Sequence, residues 1–266
     1  MPLWFAGFLG LVQGLTEFLP VSSTAHLRIA PGLVGQPDAG AAYTAVIQLG
    51  TLAAVLVYFA KDLAAFPSAM VRDPTGEGRL PWLIGLGTVP IVIVGLVFKK
   101  QIETDLRSLY VIAIALIVVG IVMAIIDHFN GRGERSLASI TIRDAVFVGL
   151  AQTLALVPGV SRSGATICMA LLLGFTRSES ARFSFLLSIP AIAGAGILES
   201  RQAFQQLGTQ AIPALAVGTV VAAVVGYASI AWFIKWLGSH HLYGFAVYRV
   251  AAGIALLVAL AAKWIR

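Results

Sequence analysis

Charge is what this sequence has least of. Asp, Glu, Lys and Arg make up 11% of its 266 residues, where a soluble domain carries about 25%. That shortfall excludes an ordinary water-facing surface. Cysteine is nearly absent too. Cys168 stands alone, which excludes an intrachain disulfide and leaves a thiolate-ligated zinc site without support. No basic stripe is interleaved with aromatics on a polar face, so the formal charge of +6 does not read as a nucleic-acid surface. The basic residues instead fall between apolar runs, as with Lys99 and Lys100, Arg132 and Arg135, and Lys263 and Arg266. Lipid headgroups suit such positions. A plain secretory leader is also missing, since no basic region opens the chain and Gln13 and Glu17 interrupt the first apolar stretch.

What is present is hydrocarbon. Hydrophobic residues reach 59% and the mean hydropathy is +0.92. Apolar runs cover Ala41 to Ala60, Leu80 to Phe98, Leu109 to Ile126, Pro213 to Trp236 and Leu242 to Ala262, each near the roughly 20 residues that span a bilayer. The expectation is an all-α integral membrane protein forming a single membrane domain over residues 1–266.

Two further stretches are apolar but broken. Leu3 to Leu19 ends at Pro20, and Ala25 to Val34 is interrupted by Pro31-Gly32. Asp144 to Val157 ends at Pro158-Gly159, and Gly164 to Phe175 is short. Such pieces read as re-entrant helix hairpins, which survive at membrane depth only when buried in protein or lining a wet cavity. The hairpins also resemble each other. Gly10-Leu11-Val12-Gln13 echoes Gly149-Leu150-Ala151-Gln152, and Val21-Ser22 echoes Val160-Ser161 at the same separation. Gly87-Thr88-Val89 is echoed by Gly218-Thr219-Val220. Matches in the same order predict an internal repeat, residues 1–130 and 140–266. Each half would hold one hairpin and three spans, six transmembrane helices in all. Three crossings are odd, so the second half is inverted and the two hairpins meet from opposite sides.

The polar residues concentrate in those hairpins. An acidic side chain at the centre of a membrane helix costs about 2.5–3.5 kcal/mol, so Glu17 must face a cavity or a partner. Gln13 lies four residues earlier on the same face, and the two oxygen-bearing groups suit a hard divalent cation such as Mg²⁺ or Ca²⁺. Ser22 or Ser23 can cap the helix that follows. His26 falls one turn on, near either hydroxyl, which permits base-assisted attack by a serine or direct attack by histidine on phosphorus. In the second hairpin, Gly159 and Gly164 allow close backbone approach, and Arg162 offers a planar fork for phosphate oxygens. Ser161, Ser163 and Thr166 add hydroxyls beside a helix N-terminus, a favourable place for an anion. Arg249, inside an apolar run, suits either a phosphate contact or a buried ion pair.

The segments Gln13-Gly-Leu-Thr-Glu-Phe-Leu-Pro-Val-Ser-Ser-Thr-Ala-His26 and Pro158-Gly-Val-Ser-Arg-Ser-Gly-Ala-Thr166 resemble the undecaprenyl-pyrophosphate phosphatase family, the bacitracin-resistance type. The likeness extends to Val46–Gly50, Phe183–Leu187 and Phe245–Arg249. It implies six spans with two re-entrant helix pairs in inverted repeats. It also implies hydrolysis of undecaprenyl pyrophosphate to undecaprenyl phosphate, which recycles the lipid carrier of bacterial cell-wall synthesis. The implied setting is the bacterial inner membrane, with the site opening to the extracytoplasmic face. By the same resemblance, Glu17 with Gln13 serves the metal or proton transfer, and Ser23 or His26 attacks. Arg162 with Ser22, Ser161, Ser163 and Thr166 holds the pyrophosphate. Two departures stand out: Gln13 where many members carry Glu, and Ala25 where Gly is usual. The type-2 phosphatidic-acid phosphatases do not match, because Cys168 and Leu172 occupy the places of their His and Asp. The rival reading is a transporter or flippase for a polyprenyl or other lipid phosphate. Partners on either reading are the lipid substrate and the bilayer, with a homodimer compatible and nucleic acid not expected.

Overall fold

The computed structural model describes residues 1–98, 101, 106, 108–130 and 133–264, with Glu77 and residues 197–207 described by backbone only. The basic residues Lys99, Lys100, Arg132 and Arg266 lie outside the described residues. The chain is helical: α1 (Leu3–Phe18), α2 (Ser23–Leu33), α3 (Gly40–Tyr58), α4 (Ala60–Arg72), α5 (Leu80–Val97), α6 (Leu109–Asn130), α7 (Ile142–Thr153), α8 (Arg162–Leu172), α9 (Arg177–Leu207), α10 (Ile212–Leu237) and α11 (Tyr243–Ala261). Among the described residues there is no strand, only an isolated bridge between Arg135 and Phe175.

Five helices, α3, α5, α6, α10 (with the short turn before it) and α11, are long and apolar enough to cross a membrane. They coincide with the five apolar runs. Large side chains such as Val57, Ile93, Val118, Val224 and Val247 stand exposed on them, as lipid-facing positions do, because lipid tails solvate what water would not. Helix α9 runs for 31 residues through Pro190. Its Ser180, Ser184 and Ser188 recur every four residues and are buried, so one polar stripe faces inward.

The broken stretches form two helix pairs, α1–α2 and α7–α8. One boundary differs from expectation: Pro31-Gly32 does not interrupt α2, which continues to Leu33. A proline in the last turn removes only one intrahelical bond, just before the helix ends anyway. Helix α7 starts with a capping box, Thr141 and Asp144 bonding reciprocally, which satisfies two orphan backbone donors. Arg135 reinforces that start by pairing with Asp144 at 2.6 Å. A second node ties helix ends together: buried Asp127 accepts from Arg177 at 2.6 Å and from the Leu242 amide at 3.0 Å.

Helix α1 packs along α10, and α7 along α5. Both approaches are close enough to require glycine. A Cβ on Gly10 would lie 2.4 Å from the Gly218 carbonyl oxygen, and one on Gly149 would lie 2.4 Å from that of Gly87. Neither carbonyl can yield without moving its helix. Gly149→Ala is therefore expected to destabilise the protein by about 1–3 kcal/mol, measured as a lower thermal midpoint in detergent. An unchanged midpoint would mean the helices are free to separate. The largest buried cluster joins Phe18, Val55, Met123, Val148, Ile167, Phe185 and Phe233, drawing on helices from both halves of the sequence.

Candidate active site

The turns of the two helix pairs face each other, and their polar side chains meet there. Glu17, in the last turn of α1, is 8% exposed. Its Oε2 accepts from Gln13 Nε2 at 3.0 Å and from the Ser23 hydroxyl at 2.6 Å. Its Oε1 accepts from Gln48 Nε2 at 3.0 Å and forms an ion pair with Arg162. Four donors from α1, α2, α3 and α8 thus converge on one carboxylate, which offsets its desolvation. Ser23, Gln48 and Arg162 are each partly exposed, while Gln13 lies beneath them. Thr51 completes the floor, accepting from Gln13 at 3.5 Å and donating to the Gln48 carbonyl at 2.7 Å.

Ser22 and Ser161 are built alike. Both adopt left-handed φ, 76° and 74°, rare for residues with a Cβ. Each caps the helix that follows, Ser22 accepting from the Ala25 amide and Ser161 from the Gly164 amide. The amides of Arg162 and Ser163 precede the first intrahelical bond of α8, in the position that holds anions at helix starts. Strain of this kind, held at a turn by its surroundings, is common where backbone geometry serves a site.

His26 lies beside the carboxylate group but engages a different partner. Its Nδ1 is 2.8 Å from the Ser22 carbonyl oxygen, and its Nε2 is 2.5 Å from the Tyr248 hydroxyl. Burial pushes the imidazole below its ordinary range, with the charge of Arg249 acting in the same direction and the Ser22 bond opposing it. An apolar cleft of about 350 Å³ begins at His26 and Tyr248 and is walled by Leu19, Val21, Trp236 and Phe245. Gly244 opens one side of it, because a Cβ there would meet nothing within 4 Å.

Of the expected site residues, Gln13, Glu17, Ser23 and Arg162 are brought together, and His26 borders them. The remainder are committed to the frame. Ser163 donates to the Leu19 carbonyl at 3.1 Å, fastening one turn to the other. Thr166, fully buried, bonds Ser184 at 2.6 Å. Arg249 pairs with no carboxylate among the described residues, unlike the buried ion pair given as one reading. It is fully buried, and its Nη atoms donate to the carbonyls of Pro20 at 3.0 Å, Gly159 at 2.7 Å, Val160 at 3.0 Å and Ala115 at 3.4 Å. Its hydrogen-bond partners are backbone oxygens of both turns and of α6, so it ties the two loops to the frame. Gln48, Thr51 and Tyr248 were not anticipated as site residues. The signal for Gln48 and Thr51 was two polar residues one turn apart in an apolar run. Cys168 is buried.

Among the described residues no group of three or more His, Cys, Asp or Glu is placed to hold a metal ion. One carboxylate flanked by two amides does fit the way Mg²⁺ binds when phosphate oxygens and water supply the other ligands.

Residues 6–255 match the family described as Bacitracin resistance protein BacA. A protein of Chloroherpeton thalassium named undecaprenyl-diphosphatase is 48% identical over 268 residues, covering 95% of this chain and 94% of its own. Proteins of the same name from Myxococcus xanthus and Mycolicibacterium smegmatis are each 49% identical, covering 98% and 95% of this chain and 90% and 94% of theirs.

Proposed function

Because the chain belongs to the Bacitracin resistance protein BacA family, we propose that it carries out the reaction for which its relatives are named. It is an integral-membrane undecaprenyl-diphosphatase. It removes the terminal phosphate of undecaprenyl pyrophosphate and so returns the lipid carrier to cell-wall synthesis. The observation that carries this reading at the site is Glu17, with the Ser23 hydroxyl on one oxygen and Arg162 from the other helix pair on the second.

The geometry favours Ser23 over His26 as nucleophile. The Ser23 hydroxyl already donates to a carboxylate, while His26 Nε2 is engaged by Tyr248. Ser23 Oγ attacks the terminal phosphorus, its proton passes to Glu17, and the bond to the bridging oxygen breaks, releasing undecaprenyl phosphate. Arg162 turns from Glu17 to the phosphate oxygens, where a planar cation also meets charge developing in the transition state. Water then displaces Ser23 from phosphorus. A divalent cation, Mg²⁺ or Ca²⁺, would be held by Glu17 and the pyrophosphate, and by Gln13 and Gln48 once each amide turns its oxygen in place of its nitrogen toward the carboxylate. When bound, it supplies charge neutralisation of the phosphate oxygens.

In the membrane, α9 serves as the sixth span, and α1–α2 and α7–α8 are re-entrant hairpins of two inverted repeats, residues 1–130 and 140–266. The matched serine caps and the paired contacts Gly10–Gly218 and Gly149–Gly87 support this arrangement. The setting is the bacterial plasma membrane, with the cleft opening to the extracytoplasmic face. The cleft beside His26 takes the first isoprene units of the substrate, which match its apolar walls. The rival transporter reading has no observation of its own.

Purified protein in detergent, given a polyprenyl pyrophosphate and Mg²⁺, should release phosphate; no release sinks the assignment. A Cβ on Gly244 meets nothing within 4 Å, so Gly244→Leu has room to occupy the cleft and is expected to cut kcat/KM for the polyprenyl substrate by about 10-fold or more, in line with lost burial of several methylenes. Hydrolysis of a pyrophosphate monoester with a short alkyl group should remain within about twofold. An equal loss on both substrates would remove the cleft from substrate binding.

A further inference from the structure

Tyr248 has no part in the chemistry above, yet it makes the shortest contact to His26. It lies in the second turn of α11, about half exposed. Its ring stacks on the imidazole with centroids 5.6 Å apart and planes 12° apart. The two contacts of His26 fix the ring's hydrogen positions. A carbonyl oxygen only accepts, so Nδ1, 2.8 Å from the Ser22 oxygen, carries the hydrogen. In the neutral ring the lone pair is then on Nε2, and the Tyr248 hydroxyl, 2.5 Å away, is the donor there. The left-handed φ of Ser22 aims its carbonyl at Nδ1, so backbone and tyrosine hold the ring from opposite ends. Histidine orientation set by a bond on the far nitrogen is a general device for defining which nitrogen does the work.

We propose that Tyr248 is a positioning residue for the second half of the diphosphatase reaction, holding His26 with its Nε2 lone pair turned toward the half-exposed rim from which water attacks. The proposal rests on the reading in which Ser23 becomes phosphorylated. Water enters across that rim and displaces the Tyr248 hydroxyl from Nε2. Its oxygen bonds to phosphorus as the phosphorus–Ser23 Oγ bond breaks. The water's proton passes to Nε2, and Ser23 Oγ takes back the proton that Glu17 had received. The imidazolium then donates to the Tyr248 oxygen, whose own proton goes to solvent across the half-exposed rim. Phosphate is released and the enzyme returns to its starting state.

Tyr248→Phe keeps the ring and its stacking and removes only the hydroxyl. With polyprenyl pyrophosphate labelled in its terminal phosphate, kcat is expected to fall by about 10–100-fold with KM within about twofold. Label trapped on Ser23 by rapid acid quench should rise above the wild-type level, because breakdown of the phospho-enzyme is the slowed step. A merely structural loss would not raise that label. Tyr248→His, which restores a ring donor, should recover part of the rate. Wild-type kcat in Tyr248→Phe, a change confined to KM, absence of extra label, or label on His26 would each overturn the proposal. If the wild-type protein itself released no phosphate, the diphosphatase reading would fail instead.

Discussion

Replacing Glu17 by Gln is expected to lower phosphate release from a polyprenyl pyrophosphate by about 10²–10⁴-fold, with the folded yield unchanged. The size follows from what the carboxylate does. It is the group that receives the Ser23 hydroxyl at 2.6 Å, and it also pairs with Arg162. Glutamine keeps the shape and can still meet some of its four partners, but it cannot take a proton from Ser23. The affected quantity should therefore be kcat. Arg162 has room to turn toward the opening, since its side chain is 15% exposed, so the loss of its counter-charge need not unfold the turn. Arg162→Ala is expected to bring a comparable loss from the other side, by removing the cation that meets the phosphate. Turnover of Glu17→Gln within about tenfold of the wild type would take the carboxylate out of the reaction.

The second large effect is on stability. Arg249→Met should cost about 2–4 kcal/mol, because it strips the side-chain donors from several buried carbonyls. The side chain reaches carbonyls of Pro20, Gly159, Val160 and Ala115, and each one left without a donor carries a desolvation penalty of about 1–3 kcal/mol. Methionine fills much of the volume and satisfies none of them. Lysine should rescue little, because a single ammonium cannot span oxygens that a planar fork reaches on two separate loops. Thermal unfolding in detergent measures the effect. Unchanged stability together with lost turnover would return Arg249 to the substrate.

Much of this was legible in the sequence, and the reason is the bilayer. The apolar runs had to be helices, and Glu17 had to have partners, because both alternatives are costly in lipid. The carboxylate's neighbours Gln13, Ser23 and Arg162 could be named from two short segments. Their division of labour could not. Whether a serine beside Glu17 donates to it or to His26 depends on side-chain directions that spacing leaves open. Arg249 illustrates the limit further. A lone arginine in an apolar run must be satisfied, but the sequence does not say by what, and its acceptors are backbone oxygens that every residue type carries. Tyr248 was similarly silent, since a tyrosine near a helix start has an ordinary place at a membrane boundary. Pro31 does not break α2, because the effect of a proline depends on how many turns remain after it.

The glycine contacts between helices bear on how the chain is made. Gly10 rests on the backbone of Gly218, and Gly149 on that of Gly87. During synthesis α1 emerges well before α10, the surface that receives it. The second pair waits far less, since Gly87 is already in place when Gly149 arrives. The N-terminal polar cluster, Gln13 and Glu17 included, therefore passes most of translation without its neighbour α10 and without Arg162. Its polar groups gain these partners only once α8 and α10 have been inserted.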